Sequence, residues 1–198
     1  MKLEYNTGRK ERKMVPEGSH VARLYGIVDL GTQDTFYGPK KQVAMMYELP
    51  DETHVFREED GPQPMGRHRI DPASLNEKSN LLKQLKALNG KAFTAKELAA
   101  GITLEDQLGK PCLVSVVHRK GKDGQMYDNI DSVTALPKGM EAKELTNEPY
   151  NYDICESNAG WDRVPEWMKN KIKESPEYIS TFGGQDEAIE SEATTSPF

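Results

Sequence analysis

Two stretches near the start of the chain alternate apolar and polar positions with a period of two. From His20 onward, Ala22, Leu24, Gly26, Val28 and Leu30 share one register, and Arg23, Tyr25 and Asp29 take the other; Ile27 interrupts the polar side. In the second stretch Val43, Met45, Tyr47 and Leu49 fall together, opposite Lys40, Gln42 and Glu48. Alternation over this length predicts half-buried strands. Gly31, Gly38 and Pro39 bracket the connection and would break a continuing ladder, so residues 20–50 read as an antiparallel pair around an exposed loop. Asp51-Glu52 then makes a turn before two short runs, His54–Arg57 and Arg67–Ile70. The breaker-rich Glu59-Asp60-Gly61-Pro62-Gln63-Pro64 separates them, which predicts a third strand or an interrupted hairpin.

The period changes after residue 73. Ser74 with Glu77 three positions on is a capping-box pattern, Leu75, Leu81, Leu82, Leu85 and Leu88 form an apolar stripe, and Asn89-Gly90 supplies a stop. This predicts a helix over 74–89. Thr94 and Glu97 repeat the capping box for a shorter helix that ends near Gly101. Cys112–His118 is nearly continuous and β-branched, as a central strand requires. Arg119–Gly124 reads as a basic hairpin turn and Met126–Leu136 as a fifth strand, with Pro137-Lys138-Gly139 closing the core. Beyond it, 141–160 is turn-rich, and 164–173 reads as a short helix with Pro165 in its first turn and Trp167 and Ile172 as anchors.

Strand, strand, strand, helices, strand, strand is the element order of an oligonucleotide/oligosaccharide-binding (OB) barrel, in which the helix plugs one end and two loops frame a binding face. The expected fold is therefore mainly β with minor α: a five-stranded OB-fold barrel with helices between strands 3 and 4. The framing loops would be Gly31–Pro39 and Arg119–Gly124. Another small α+β domain of the same order is the alternative. The implied division is a flexible arm over 1–17, an OB domain over 18–139, an extension with a short helix over 140–175, and a disordered acidic tail over 176–198.

Composition refines this picture at the ends. Of 198 residues 36% are hydrophobic, and the mean hydropathy of -0.75 is polar for a fully packed chain, so part of it is expected to be tail or linker. No apolar run is long enough for a bilayer, and the basic cluster Arg9, Lys10, Arg12 and Lys13 is followed by no apolar region, which argues against a membrane anchor or secretory signal. Cys112 and Cys155 lack metal spacing and are too few for a disulfide framework, so a cytoplasmic setting is the expectation. From Glu174 onward there are six acidic residues and no Lys or Arg. Removing those six from the 32 leaves 26 acidic against 26 basic, so the formal charge of -6 belongs to the C-terminal end.

No catalytic constellation emerges. Gly31–Lys40 has its glycines wrongly spaced for a phosphate loop and no following helix. Asp51, Glu52, Glu58, Glu59 and Asp60 lie in turn-rich sequence without a calcium-loop pattern, and His20, His54, His68 and His118 are scattered. No enzyme activity, metal or cofactor is expected. Interleaved cations and aromatics are more informative. Arg23 and Tyr25 share a strand face. Phe36 and Tyr37 precede Lys40 and Lys41, Arg67 and Arg69 alternate, and Arg119, Lys120 and Lys122 lead to Tyr127. Single-stranded nucleic acid is held by cations along the phosphates and by aromatic faces on which bases stack, about 1–3 kcal/mol per base. Taken singly, Tyr25 or Tyr47 could be barrel packing and the lysines a matter of solubility. No basic recognition helix points to duplex reading.

The end of the chain adds a partner. Asp186, Glu187, Glu190 and Glu192 lead through a Ser/Thr-rich stretch to Pro197-Phe198, a flexible acidic tether whose terminal ring and carboxylate suit an apolar pocket beside a basic residue. The tail resembles those of bacterial and phage single-stranded DNA-binding proteins, whose acidic C-termini close on phenylalanine. The core resembles phage-encoded members in Tyr25-Gly26-Ile27-Val28-Asp29-Leu30-Gly31-Thr32-Gln33, Tyr47-Glu48-Leu49-Pro50, Leu108-Gly109-Lys110-Pro111-Cys112 and Leu136-Pro137-Lys138-Gly139, over about residues 19–140. The resemblance implies a non-enzymatic protein that coats single-stranded DNA during phage replication or recombination and recruits replication or recombination proteins through its tail. It leaves the oligomeric state open, a homo-oligomer included. Because the core is neutral overall, its cations must gather on one face. The alternative is a phage structural or adaptor protein whose barrel binds protein or glycan.

Overall fold

The computed structural model describes residues 13–156 and 160–183. Its strands are β1 (Gly18–Thr35), β2 (Gly38–Val55), β3 (Pro62–Pro72), β4 (Pro111–Lys120), β5 (Met126–Thr134) and β6 (Tyr150–Tyr152), with helices α1 (Asn80–Asn89), α2 (Ala95–Ala100) and α3 (Glu166–Lys173). The fold is mainly β, with α1 and α2 between β3 and β4 as the sequence predicts. The sheet runs β3-β2-β1-β4-β5 with antiparallel neighbours, and a sixth strand, β6, joins β1 in parallel. β1 is long enough to serve three partners. Gly18–Arg23 pairs with β4, the stretch from Arg23 to Thr35 with β2, and Gly26–Val28 with β6.

The sheet is not closed into a barrel, because no backbone ladder joins its ends, β3 and β5. Side chains bridge the gap. Arg67 Nε donates to Asp128 Oδ2 at 2.6 Å, and its Nη2 pairs with the same buried carboxylate. Arg69 Nη1 donates to the carbonyls of Ile130, at 2.9 Å, and Asp131, while its Nε meets Asp71 Oδ2 at 2.8 Å. Gln84 of α1 donates to Asp71 Oδ2 at 2.7 Å and accepts from the Tyr47 hydroxyl at 2.8 Å, so a satisfied polar chain ties α1 to this seam.

Two hydrophobic clusters lie on opposite sides of β1 and β2. The inner one holds Ala22, Leu24, Ile27, Val43, Met45, Tyr47 and Leu49 against Leu81, Leu85 and Leu88 of α1 and Val114, Val116, Ile130 and Val133 of β4 and β5. The outer one holds Val28, Leu30, Ala44 and Met46 against Tyr150, Tyr152, Ile154, Val164, Met168 and Ile172. The expected single apolar face of β1 is corrected here. The β1–β2 register shifts at Tyr25, between Leu24 and Gly26, and again between Asp29 and Gly31. A bulge inserts one residue, and one residue turns every later side chain to the other face. Ile27 therefore reaches the inner core, while Val28 and Leu30 reach the outer one.

Other boundaries also move. α1 begins at Asn80, not at residue 74: Ser79 is the N-cap and accepts from Leu82 N, while Ser74 Oγ accepts from Asn76 N in a preceding turn. The Thr94–Glu97 capping box is present as predicted. Of the arm expected over 1–17, residues 13–17 pack on the domain. Val15 is fully buried, its amide donates to Asp128 Oδ2 at 2.6 Å, and its carbonyl meets His118 Nε2 at 2.8 Å. Residues 1–12 lie outside the described ones. The extension over 140–175 is integrated through β6 and α3. The disorder expected from residue 176 does not hold for 176–183, which are helical and bring Tyr178 and Phe182 to the outer cluster. Apolar rings outweigh the polar composition there. No helix among the described residues is long and apolar enough to cross a membrane.

Candidate nucleic-acid interface

Strand alternation sorts the side chains along the β3–β5 seam. Arg67 and Asp71 in β3, and Asp128 and Ile130 in β5, are buried, while His68 and Asn129 between them are exposed. Outside the seam lies a cavity of about 620 Å³ lined by Tyr25, Met46, Gly66, Arg67, His68, Tyr127, Asn129 and Trp167. It adjoins a second, of about 350 Å³, through shared His68 and Asn129, where Arg69 and Arg119 join the lining. On its other side a third, of about 290 Å³, shares Tyr25 and Pro165 and adds Tyr150 and Arg163. Together they make a groove whose lining mixes aromatic faces and guanidinium groups with the carboxylates of Asp128 and Glu148.

Each ring has a local reason for its position. Tyr25 is the residue carried by the first β1 bulge. It meets Tyr150 edge-on at 6.0 Å, and its hydroxyl lies where a Cβ on Gly66 would come within 2.8 Å, so a glycine admits it. Burial, with the Glu48 charge adding and Arg67 opposing, pushes the Tyr25 phenol up to about 12, which keeps it neutral. Tyr127 lies over Gly121, where a Cβ would fall 2.6 Å from the ring, and its hydroxyl donates to Asp123 Oδ2 at 2.7 Å. Trp167 projects from α3 to within 4.7 Å of the His68 ring, at an interplanar angle of 41°.

The cations differ in availability. Arg67 and Arg69 do share one strand face, as the sequence predicts, but their guanidinium groups close the seam. Arg119 pairs with Asp131 and Arg163 with Glu148, all four substantially exposed, so these pairs are weak and an incoming phosphate can exchange with the carboxylate. The arrangement can stack flat rings and accept anions along one side of the sheet. Among the described residues no group of three or more His, Cys, Asp or Glu could hold a metal ion.

Of the residues singled out from sequence, the groove gathers Tyr25, Arg67, Arg69, Arg119 and Tyr127. Arg23 is engaged elsewhere: its guanidinium donates to the carbonyls of Gly109 and Lys143, both at 2.7 Å, and of Ala142 at 3.0 Å, clamping the extension. Phe36 and Tyr37 sit at the β1–β2 hairpin tip, 96% and 80% exposed, with Lys40 Nζ 5.3 Å over the Tyr37 ring. Lys41 pairs with Asp29 at 3.0 Å; burial opposes its charge, but Asp29 outweighs burial and raises its pKa. Lys120 and Lys122 are exposed at the β4–β5 turn. None of these lines the groove. Asp186, Glu187, Glu190, Glu192, Pro197 and Phe198 lie outside the described residues. Sequence reasoning missed His68, Asn129, Trp167 and Arg163. For His68 a signal existed, since alternation places it opposite Arg67 and Arg69; Trp167 was expected only as a helix anchor, a role that Ile172 fills while Trp167 stays exposed, and for Arg163 there was no signal. No family model matches the chain, and no curated protein matches it.

Proposed function

We propose that the chain is a non-enzymatic protein that binds single-stranded DNA along the β3–β5 groove. The observation that carries this reading is the run of Tyr25, Trp167, His68 and Tyr127 beside the exposed Arg119 and Arg163. Stacking rings with cations alongside suit a flexible strand, and among the described residues no basic recognition helix offers itself to a duplex groove. The strand order and the helices between β3 and β4 support an OB-type architecture, with side chains standing in for the missing β3–β5 ladder. On this reading the protein coats single-stranded DNA during phage replication or recombination in the host cytoplasm. The acidic C-terminal end through Phe198 would recruit replication or recombination proteins.

The test is a titration with single- and double-stranded oligonucleotides at several salt concentrations. Binding should favour the single strand and weaken linearly in log K against log salt. Arg119→Ala should lower that slope by about one, and Tyr127→Ala should cost about 1–3 kcal/mol. Tyr37→Ala and Lys41→Ala, outside the groove, should change little. Absence of binding at the lowest salt would sink the reading and leave an adaptor role. The observation that favours an adaptor is the exposed Phe36–Tyr37 pair, packed edge-on at 5.2 Å on the hairpin tip.

A further inference from the structure

The groove is built by two parts of the chain, the sheet and the extension that packs across it. The extension's two tryptophans are treated differently. Trp161 packs in the outer cluster, 5.8 Å from Tyr178 at an interplanar angle of 20° and 5.2 Å from Tyr152. Trp167 instead remains 40% exposed on the groove wall, although Met168 and Ile172 of the same helix are fully buried. A helix docked for stability alone gains most by burying its largest apolar ring, since an aromatic side chain carries the greatest apolar area. Here the ring is held at the surface by the His68 imidazole at 4.7 Å, in the cavity that Tyr25 and Tyr127 also line. Just before α3, Arg163 lies 5.8 Å from the Tyr150 ring and lines the adjoining cavity.

We propose that α3 supplies a base-stacking platform, Trp167, so that the extension is part of the nucleic-acid site and not merely a cover for the sheet. This rests on the single-strand reading above. The occupant is a nucleobase of a single strand: a flat partner suits a tilted indole–imidazole pair, and the exposed guanidinium groups on either side match phosphates flanking that base. Because the platform exists only while the extension is docked, ligand binding and docking are thermodynamically linked. At a free ligand concentration of 100 times Kd, the undocked population should fall about 5- to 50-fold, less than the full factor because the sheet residues of the undocked chain still bind weakly.

The test uses the full chain and an oligothymidylate. The wild type should show quenched tryptophan emission on binding, and Trp167→Phe should lose most of that quench while keeping affinity within a few-fold. Trp167→Ala and Trp167→Leu should bind about 5- to 100-fold more weakly with an unchanged salt slope. The bound oligomer should also slow amide exchange across 160–183. If the wild type binds but Trp167→Ala and Trp167→Leu match its affinity, the platform is overturned and the single-strand reading stands. If Trp167→Phe weakens binding as much as Trp167→Ala and both lose protection across α3 without ligand, the residue is structural and the platform is again overturned. If the wild type binds no single strand at low salt, both readings fall together.

Discussion

The two sides of the β1–β2 sheet are buried by different means. The inner side is mainly aliphatic, with Tyr47 its buried ring, and closes on neighbouring strands and α1; its buried Gln84 is satisfied by Asp71 and Tyr47. The outer side is covered by rings of the extension, and polar latches hold that cover in place. Buried Glu48 accepts from Thr146 N at 2.8 Å and Asn147 N at 2.9 Å, Gln33 Nε2 donates to Lys171 O at 2.9 Å, and Thr32 donates to Glu177 through its amide and hydroxyl. Each latch joins residues far apart in sequence, so each holds only while the whole strap is in place. The outer side should therefore open at lower free energy than the inner.

The largest effect should come at the seam that the inner side depends on. Asp128→Ala leaves Arg67 buried without its partner and releases the Val15 amide, and should cost about 3–5 kcal/mol in urea unfolding. A loss under about 1 kcal/mol would show the seam to be incidental. Next, Leu85→Ala and Ile172→Ala remove comparable buried atoms on opposite sides, each worth about 2–5 kcal/mol locally. Leu85→Ala should lower the global midpoint, and Ile172→Ala should chiefly speed amide exchange across 150–183. Identical exchange patterns would erase the distinction.

A smaller effect is expected at Glu177. Burial alone would raise its carboxyl, but the hydroxyl and amide of Thr32 outweigh burial and hold its pKa below the usual glutamate value. Its contribution to docking is then complete above the ordinary glutamate range and lost as pH falls through the lowered value. Glu177→Gln should weaken docking by about 1 kcal/mol and flatten the acid-range dependence of exchange over 176–183. The least perturbing probe is thiol labelling. Burial pushes Cys112, in the inner cluster, up to about 12, whereas Cys155 near β6 is exposed. A thiol reagent should modify Cys155 in the native protein and reach Cys112 only on unfolding; fast labelling of Cys112 under native conditions would mean that the inner side opens locally and would remove its claim to be the more stable side.

The same contrast governs what could be read from sequence. Val43, Met45, Tyr47 and Leu49 were legible because β2 faces the inner core without interruption across them. Ile27 looked like a flaw in β1, yet it marks the point where a bulge passes the apolar set to a second core; one strand seen alone cannot distinguish these cases. The pairing of Arg67 and Arg69 on one face was legible, but not that Asp128 would claim the first and the Ile130 carbonyl the second, because those partners arrive from another strand. The helix carrying Trp167 was legible and Ile172 does anchor it, but Trp167 was expected as a second anchor and stands 40% exposed, because its neighbour His68 comes from a distant strand. The helical 176–183 was obscured by composition, since a polar acidic stretch hides the few rings that decide where it packs.

The place of the strap in the chain bears on how the protein is made. A ribosome delivers β1 and β2 first, with Val28, Leu30, Ala44 and Met46 already facing outward, and residues 150–183 that cover them come much later. Through that interval the nascent chain carries a naked apolar strip on otherwise paired strands, the kind of surface that invites association with neighbouring chains and chaperones. Synthesis of this domain is thus most exposed to misassembly before the strap emerges, and the last helical turns of the extension complete the protection of the first hairpin.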